Sequence, residues 1–242
     1  LGHASLQSNS TGNYNTAVGY AALLDNTTGS YNNAFGDEAL ANVTTGTQNV
    51  GVGQNAGANI TTGNNNINIG VNTNDAANTS NVIAIGYLAL TGNSADNLVA
   101  VGYASLQSNT TGADNTAVGY NSLATNTIGQ RNTGLGYQSL YFNTTGSYNT
   151  AVGYRALLDN TTGPYNNAFG DYALANVTTG GCNVGVGADA GACITTGGNN
   201  VNVGRQTNDA ANTSNVVAIG HQALTANSAD NLTAVGWRAL TP

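Results

Sequence analysis

Aromatic side chains recur in this chain at one position of a repeat, directly after a set of regularly spaced glycines. The row consists of Tyr20, Tyr87, Tyr103, Tyr120, Tyr137, Tyr154 and Trp237, with His3 and His221 at the same position. An exposed row of rings can stack on sugar rings, but neighbouring rings can also support only one another or a contact between chains. We favour the structural ring ladder and keep the row as a candidate ligand-binding surface. A second row, at Tyr14, Tyr31, Tyr148 and Tyr165, has the same two interpretations.

The two cysteines are candidates for a disulfide. Cys193 lies two residues before a Thr-Thr-Gly turn, and Cys182 lies two residues after the preceding turn of the same kind. If successive repeats stack, these positions come together one layer apart, which permits a disulfide. We predict this bond, which would fit an oxidising extracellular setting, and two unlinked thiols are the alternative.

Other reactive side chains do not converge in the sequence. The eleven acidic residues fall at different repeat positions, and His3 and His221 are not equivalent in the two halves of the chain. The sequence has no Ser-His-Asp arrangement, no metal-ligand spacing and no glycine-rich calcium nonapeptide. We therefore expect neither catalysis nor a metal or cofactor.

Charge limits the possible partners. Eleven acidic residues stand against four arginines and no lysine, which gives a net charge of -7. Binding to a phosphate backbone needs a basic stripe, so we do not expect a nucleic-acid partner. The chain also has no run of about 20 apolar residues, so we do not expect it to insert into a membrane.

The elements that position these residues follow from fifteen glycines in one register, each 16 or 17 residues after the one before. These marker glycines are Gly2, Gly19, Gly36, Gly53, Gly70, Gly86, Gly102, Gly119, Gly136, Gly153, Gly170, Gly187, Gly204, Gly220 and Gly236. A repeat this short cannot bury a hydrophobic face alone and must stack on its neighbours. The spacing therefore predicts an all-β fold, a parallel β-roll or β-solenoid of about 15 coils of 16–17 residues.

The chain is also internally duplicated. The spacing of the marker glycines begins again after 134 residues, and residues 1–108 match residues 135–242. No linker separates the copies, so we predict one continuous domain over 1–242. The chain begins in register at Leu1 and stops at Pro242, a few residues into a coil, so we expect a piece of a longer protein.

Within each coil, the residues from four before the marker glycine to one after it alternate in size, which is typical of a β-strand. A short Ala-Ala-Leu segment and a turn such as 26–29 (Asn-Thr-Thr-Gly) follow. We expect two short strands and two turns per coil, with the turn glycine at positive φ. The many Asn-x-Ser/Thr sequences are interpreted as turn chemistry rather than as glycosylation sites.

Two apolar columns compete for the interior. One is the leucine four residues after the marker glycine, at Leu23, Leu40, Leu90, Leu106, Leu123, Leu140, Leu157, Leu174, Leu224 and Leu240. The other directly precedes the marker glycine, at Val18, Phe35, Val52, Ile69, Ile85, Val101, Val118, Leu135, Val152, Phe169, Val186, Val203, Ile219 and Val235. If the leucines fill the interior, the second column points outward and must be buried against partner chains. The opposite packing would leave a soluble monomer; we favour the first.

The motif Asn-Thr-Ala-Val-Gly-Tyr occurs at 15–20, 115–120 and 149–154, with related sequences at 81–86 and 215–220. It resembles the head repeat of YadA-like trimeric autotransporter adhesins, which is also seen in phage tail fibres. The resemblance covers essentially the whole chain. It implies a left-handed parallel β-roll, packing of three chains side by side, and binding of the head to host matrix or cell surfaces.

These observations together favour a structural and adhesive extracellular fibre segment on a cell or virion surface, assembled as a homotrimer. A host surface glycan or matrix protein is the expected ligand. A self-assembling extracellular filament, with coils stacked end to end, is the alternative. A more distant alternative is an ice-binding protein that uses the recurring threonines of the turns.

Overall fold

The structure, a computed structural model, describes residues 1–74, 78–208, 210–226 and 228–241. It divides into two compact units, residues 1–118 and 119–242. Each unit is a parallel β-solenoid with one short strand per coil, and no helix occurs among the described residues. The predicted fold class is therefore confirmed.

Unit 1 contains seven strands in chain order. They are β1 (Thr16–Val18), β2 (Asn33–Phe35), β3 (Val50–Val52), β4 (Ile67–Ile69), β5 (Val82–Ile85), β6 (Leu98–Val101) and β7 (Thr116–Val118). Each strand pairs in parallel with the next, and equivalent repeat positions lie opposite one another, as Ala17 does with Ala34. The chain thus advances by one strand for each marker glycine.

Unit 2 repeats this arrangement. Its strands are β8 (Thr133–Leu135), β9 (Thr150–Val152), β10 (Asn167–Phe169), β11 (Val184–Val186), β12 (Val201–Val203), β13 (Val217–Ile219) and β14 (Thr233–Val235). All successive pairs within the unit are parallel. The register again matches equivalent positions, as Ala168 with Gly185.

The burial of the strand residues shows which of the two apolar columns fills the interior. In β1 the central Ala17 is buried, whereas Thr16 and Val18 on either side are exposed. The predicted leucines are fully buried opposite this small-residue face, with the exception of Leu240, which is half exposed. Val43, Ile60, Val177 and Ile194 add to the core from a position that the sequence analysis did not assign. The packing with leucines inside and the Val18 column outside is the one observed.

The predicted second strand of each coil is wrong. Ala21 and Leu23 both have left-handed φ, near 51°, so the Ala-Ala-Leu segment turns where a strand would stay extended. It still joins the coils, because the Ala21 amide donates to the His3 carbonyl and the Leu23 amide donates to the Ala39 carbonyl. The leucine of this segment still points inward, as Leu23 does, because successive residues alternate in direction although no strand forms.

The predicted positive φ of the turn glycine is also wrong. Gly29 is not among the positive-φ residues, whereas Tyr31, two residues later, has a φ of 62°. A Cβ on Gly29 would instead lie 2.5 Å from Oδ1 of Asn26 and would overlap the Gly46 carbonyl of the next coil. Glycine is therefore needed at this turn for close stacking of the coils rather than for its backbone freedom.

Candidate functional surfaces

The outward face of the strands in each unit is two side chains wide, with an apolar column beside a column of mixed apolar and uncharged polar residues. In unit 1 it is formed by the predicted outward column, of which Phe35 and Ile69 are 43% and 38% exposed. The residues two positions earlier lie beside it, and they include Ile67 at 38% exposure. The strands of unit 2 present the same two columns, from Thr133 and Leu135 to Thr233 and Val235.

This outward face carries no charge. None of the strand residues in its two columns is acidic or basic, and the polar members are threonines and asparagines such as Thr16 and Asn33. A regular, uncharged and largely apolar face of this kind is typical of a surface that another protein covers.

The aromatic row forms stacked rings within each unit. In unit 2 the Tyr120 and Tyr137 ring centroids are 5.3 Å apart, and those of Tyr137 and Tyr154 are 5.2 Å apart, with interplanar angles of 8° and 9°. In unit 1, Tyr87 stacks on Tyr103 and His3 stacks on Tyr20. Because ring faces are turned toward one another, solvent meets mainly their edges and hydroxyls, which favours the structural ladder. Glycan binding by Tyr20, Tyr87, Tyr103, Tyr120, Tyr137, Tyr154 and Trp237 stays a prediction.

Arg155 organises the polar edge of this row. Its guanidinium carbon lies 5.2 Å from the Tyr154 ring centroid and 5.9 Å from that of Tyr137. It also donates to Oε1 of Gln138 at 2.9 Å and to the Tyr172 hydroxyl at 3.4 Å. The hydrogen bond between Tyr154 and Tyr172 raises the pKa of Tyr154, and that between Arg155 and Tyr172 raises the pKa of Arg155. The arginine therefore stays charged and is held by its neighbours on three coils.

Trp237 belongs to the same row and is the most exposed of its predicted members, at 71%. The guanidinium carbon of Arg238 lies 5.5 Å from its ring centroid. A cation on a ring face and a ladder of neighbouring rings are both ordinary ways of supporting exposed aromatics.

Cys182 and Cys193 are present as two separate thiols, and the predicted disulfide is not formed. The Cys182 amide donates to the Pro164 carbonyl, which places its side chain in the column of Tyr165. Cys193 lies on the other side of a turn, at the repeat position of Asn59 in the first half. The two cysteines thus occupy different columns, because stacking aligns equivalent repeat positions only.

A ladder of buried asparagines, which the sequence analysis missed, connects the coils four residues before the marker glycine. Asn32 accepts at Oδ1 from the Asn49 amide at 3.0 Å, while its own Nδ2 donates to the Gly46 carbonyl at 2.8 Å. Asn66 and Asn49 repeat the arrangement, and in unit 2 it runs through Asn132, Asn149, Asn166, Asn183 and Asn200. The recurrence of asparagine four residues before the marker glycine was the sequence pattern that could have predicted this ladder.

A second asparagine ladder runs through the turns. In unit 2, Asn143 donates to Oδ1 of Asn126 at 2.8 Å, and Asn160 donates to Oδ1 of Asn143 at 2.7 Å. Each of these amides also donates to the glycine carbonyl of its own turn at 3.0 Å. Because Asn143 and Asn160 are fully buried, the Asn-x-Thr sequences that they begin serve the turns, as interpreted.

In each unit, one of the described strands carries an asparagine at its inward position. Asn68 takes the place of the small inward residue of its strand, is fully buried, and has no hydrogen-bond partner at Oδ1 or Nδ2. Asn202, its duplicate in unit 2, has the same environment. Leucine is missing from the preceding coil, where Gly57 leaves the space that Asn68 fills: a Cβ on Gly57 would lie 2.7 Å from Nδ2 of Asn68.

Within the described residues, no cluster of three or more His, Cys, Asp or Glu side chains is arranged to hold a metal ion, and Asp75 and Asp209 lie outside those residues. The described residues also contain no helix with the length and hydropathy needed to cross a membrane.

Comparison with known proteins gave no family. No protein-family model, no curated protein and no solved structure matches the chain.

Proposed function

We propose that the chain is a structural and adhesive fibre segment that works as a homotrimer on a cell or virion surface. The observation that carries the proposal is the uncharged apolar outward face of each unit. Burying such a face against a copy of itself removes apolar area from water without leaving any charge unpaired. A second copy of the chain is therefore the partner that fits best.

The number of three copies comes from the resemblance of the repeat to YadA-like heads. The rod function is supported by the way in which the coils are joined. Backbone hydrogen bonds connect each coil to the next within a unit, and the two asparagine ladders and the stacked rings add further links between some of the coils. Because each coil is fixed to its neighbours at several columns, a unit can present a surface at a constant distance from its attachment. Host glycans or matrix proteins are the proposed ligands of that surface.

The test replaces apolar residues of the outward face and measures the mass of the assembly. In the variant Ile67→Thr/Ile69→Thr, both side chains lie on β4 and keep a β-branched shape that suits a strand. Ile128→Thr is the matched control, because Ile128 is exposed in a turn outside the sheet. Circular dichroism checks that all three chains fold.

Light scattering at several concentrations then gives the result. We expect the unchanged chain and Ile128→Thr to form the same oligomer, and Ile67→Thr/Ile69→Thr to dissociate at a concentration at least ten times higher. The proposal is wrong if the unchanged chain is monomeric throughout, or if both variants dissociate equally. A mass that keeps growing with concentration would indicate the filament instead.

A further inference from the structure

The second tyrosine row contains the most closely stacked pairs of tyrosine rings in each unit. In unit 1 the Tyr14 and Tyr31 centroids are 4.9 Å apart at an interplanar angle of 16°. In unit 2 their duplicates, Tyr148 and Tyr165, are also 4.9 Å apart, at 10°. The tyrosine pairs of the first row lie at 5.2–5.6 Å. The same close pair therefore occurs once in each copy of the duplication.

All four of these rings are exposed, with 41% for Tyr148 as the lowest value. Their backbones are fixed, because the Tyr31 amide donates to the Asn13 carbonyl and the Tyr165 amide donates to the Ser147 carbonyl. Fixed backbones keep each pair together, and the exposed rings are open to a reagent in solution.

We propose that Tyr14–Tyr31 and Tyr148–Tyr165 are sites of oxidative tyrosine–tyrosine cross-linking, which joins successive coils by a covalent bond. The co-reactant is a one-electron oxidant of phenols, such as a haem peroxidase with hydrogen peroxide. The inference does not depend on the proposed function, since it uses only contacts within one chain.

The reaction is an oxidation of two phenols. Each tyrosine loses one electron and its phenolic proton, and the two radicals join through a carbon ortho to each hydroxyl. Each of these carbons then loses its hydrogen as a proton while each phenolic oxygen regains one, which restores both rings. Two electrons and two protons leave in all, and they reduce one hydrogen peroxide to two waters.

Stacking favours this product over links between chains. Two rings held on adjacent coils have an effective concentration in the millimolar range or above, whereas separate chains meet at micromolar concentration. Tyr148 is further held by Arg131, which donates to its hydroxyl at 2.7 Å and lies over its ring. Intrachain coupling should therefore dominate in the folded protein.

The experiment treats the full chain with horseradish peroxidase and hydrogen peroxide and maps the linked peptides by mass spectrometry. Trypsin separates Tyr148 from Tyr165, because it cuts after Arg131, Arg155 and Arg205. An endoprotease that cuts before aspartate separates Tyr14 from Tyr31 at Asp25. A parallel sample carries Cys182→Gln and Cys193→Asn, the residues found in the first half, so that thiols do not compete for the radicals.

We expect both links, in yields that do not change over a tenfold range of protein concentration. Tyr165→Phe should abolish the link of unit 2 and leave that of unit 1, whereas the control Tyr141→Phe, whose ring packs edge-on against Phe142, should leave both. The proposal fails if the links form only between chains. It also fails if chain unfolded in urea gives the Tyr148–Tyr165 link in equal yield.

Discussion

The side-chain amide of Asn143 donates to Oδ1 of Asn126 on the preceding coil at 2.8 Å, and both residues are fully buried. Its own Oδ1 accepts from Asn160 on the following coil at 2.7 Å. One asparagine thus links three coils through a position that looks, in the sequence, like an ordinary turn residue. Polar contacts thus hold the interiors of these three turns, whereas Val43 and Ile60 fill the equivalent position of other turns with apolar side chains.

Asn143→Ala should therefore destabilise the protein by about 1–3 kcal/mol, because it removes the buried hydrogen bonds that the Asn143 side chain makes with Asn126, Asn160 and the Gly146 carbonyl. Thr145→Ala is the control, since Thr145 is exposed in the same turn, and should change stability by less than about 0.5 kcal/mol. Urea unfolding followed by circular dichroism measures both. Equal effects of the two substitutions would show that the ladder adds nothing.

A marker glycine stacked under the next coil should be far less replaceable than a positive-φ glycine with open space around it. Gly86 has a φ of 131°, and a Cβ there would lie 2.7 Å from the carbonyl carbon of Gly102 on the next coil. Gly92 has a φ of 79° but open space around it, so Gly92→Ala carries only the backbone penalty of about 1–2 kcal/mol. Gly86→Ala should cost at least about 2 kcal/mol more, because the coils must separate. Thermal unfolding compares the two, and a similar loss for both would contradict the close-stacking role.

Asn68 and Gly57 should behave as a coupled pair. Gly57→Leu restores the leucine column but places its Cβ 2.7 Å from Nδ2 of Asn68, so alone it should destabilise by about 1–3 kcal/mol. Asn68→Ala restores the small residue of the strand and removes an amide that has no partner, so alone it should have a small effect.

The double variant, Gly57→Leu/Asn68→Ala, rebuilds the leucine-on-alanine layer found in the neighbouring coils. It should therefore be more stable than the sum of the single effects predicts, by about 0.5–3 kcal/mol. Urea unfolding of the unchanged chain, the two single variants and the double variant measures the free energies of unfolding that this comparison needs. Additive effects would mean that the two side chains do not share one space.

The carboxyl of Asp159 should make the stability of the folded protein depend on pH. Partial burial raises the pKa of its carboxyl, so the folded state holds this proton more tightly than the unfolded chain does. Its contribution to stability is then greatest below the unfolded pKa, about 3.9, and is lost as pH rises through the folded value. Asp159→Asn should stabilise the protein at pH 7 and have no such effect at pH 3.

The control for this prediction is Asp25→Asn, since Asp25 is the duplicate of Asp159 in unit 1 and is exposed. At pH 7 we expect Asp159→Asn to raise the melting temperature by more than Asp25→Asn does. A gain for Asp159→Asn that is equal at pH 3 and pH 7 would contradict the burial effect.

The solenoid and the two alternating faces of its strands were predictable because each depends on a short-range pattern. The marker glycines fix the repeat, and the alternation around Ala17 and Val18 sets which side chains share a face. The outward column followed once leucine was placed inside. What alternation could not decide was which of the two columns fills the interior, since both are apolar.

The errors have a common physical cause. Left-handed φ values at Ala21, Leu23 and Tyr31 are imposed by the closure of a narrow coil and by hydrogen bonds to neighbouring coils, not by local propensity. The same applies to Gly29, whose importance lies in the approach of Gly46 from the next coil. The asparagine ladders were missed for this reason as well, because their partners are 17 residues away in the chain.

The most direct test of the proposed assembly is the mass of the chain in solution by sedimentation equilibrium. If the outward faces are buried between copies, the mass should reach a plateau at three times the 24.2 kDa of one chain as concentration rises. A mass that stays at that of one chain over the whole range would contradict the proposal.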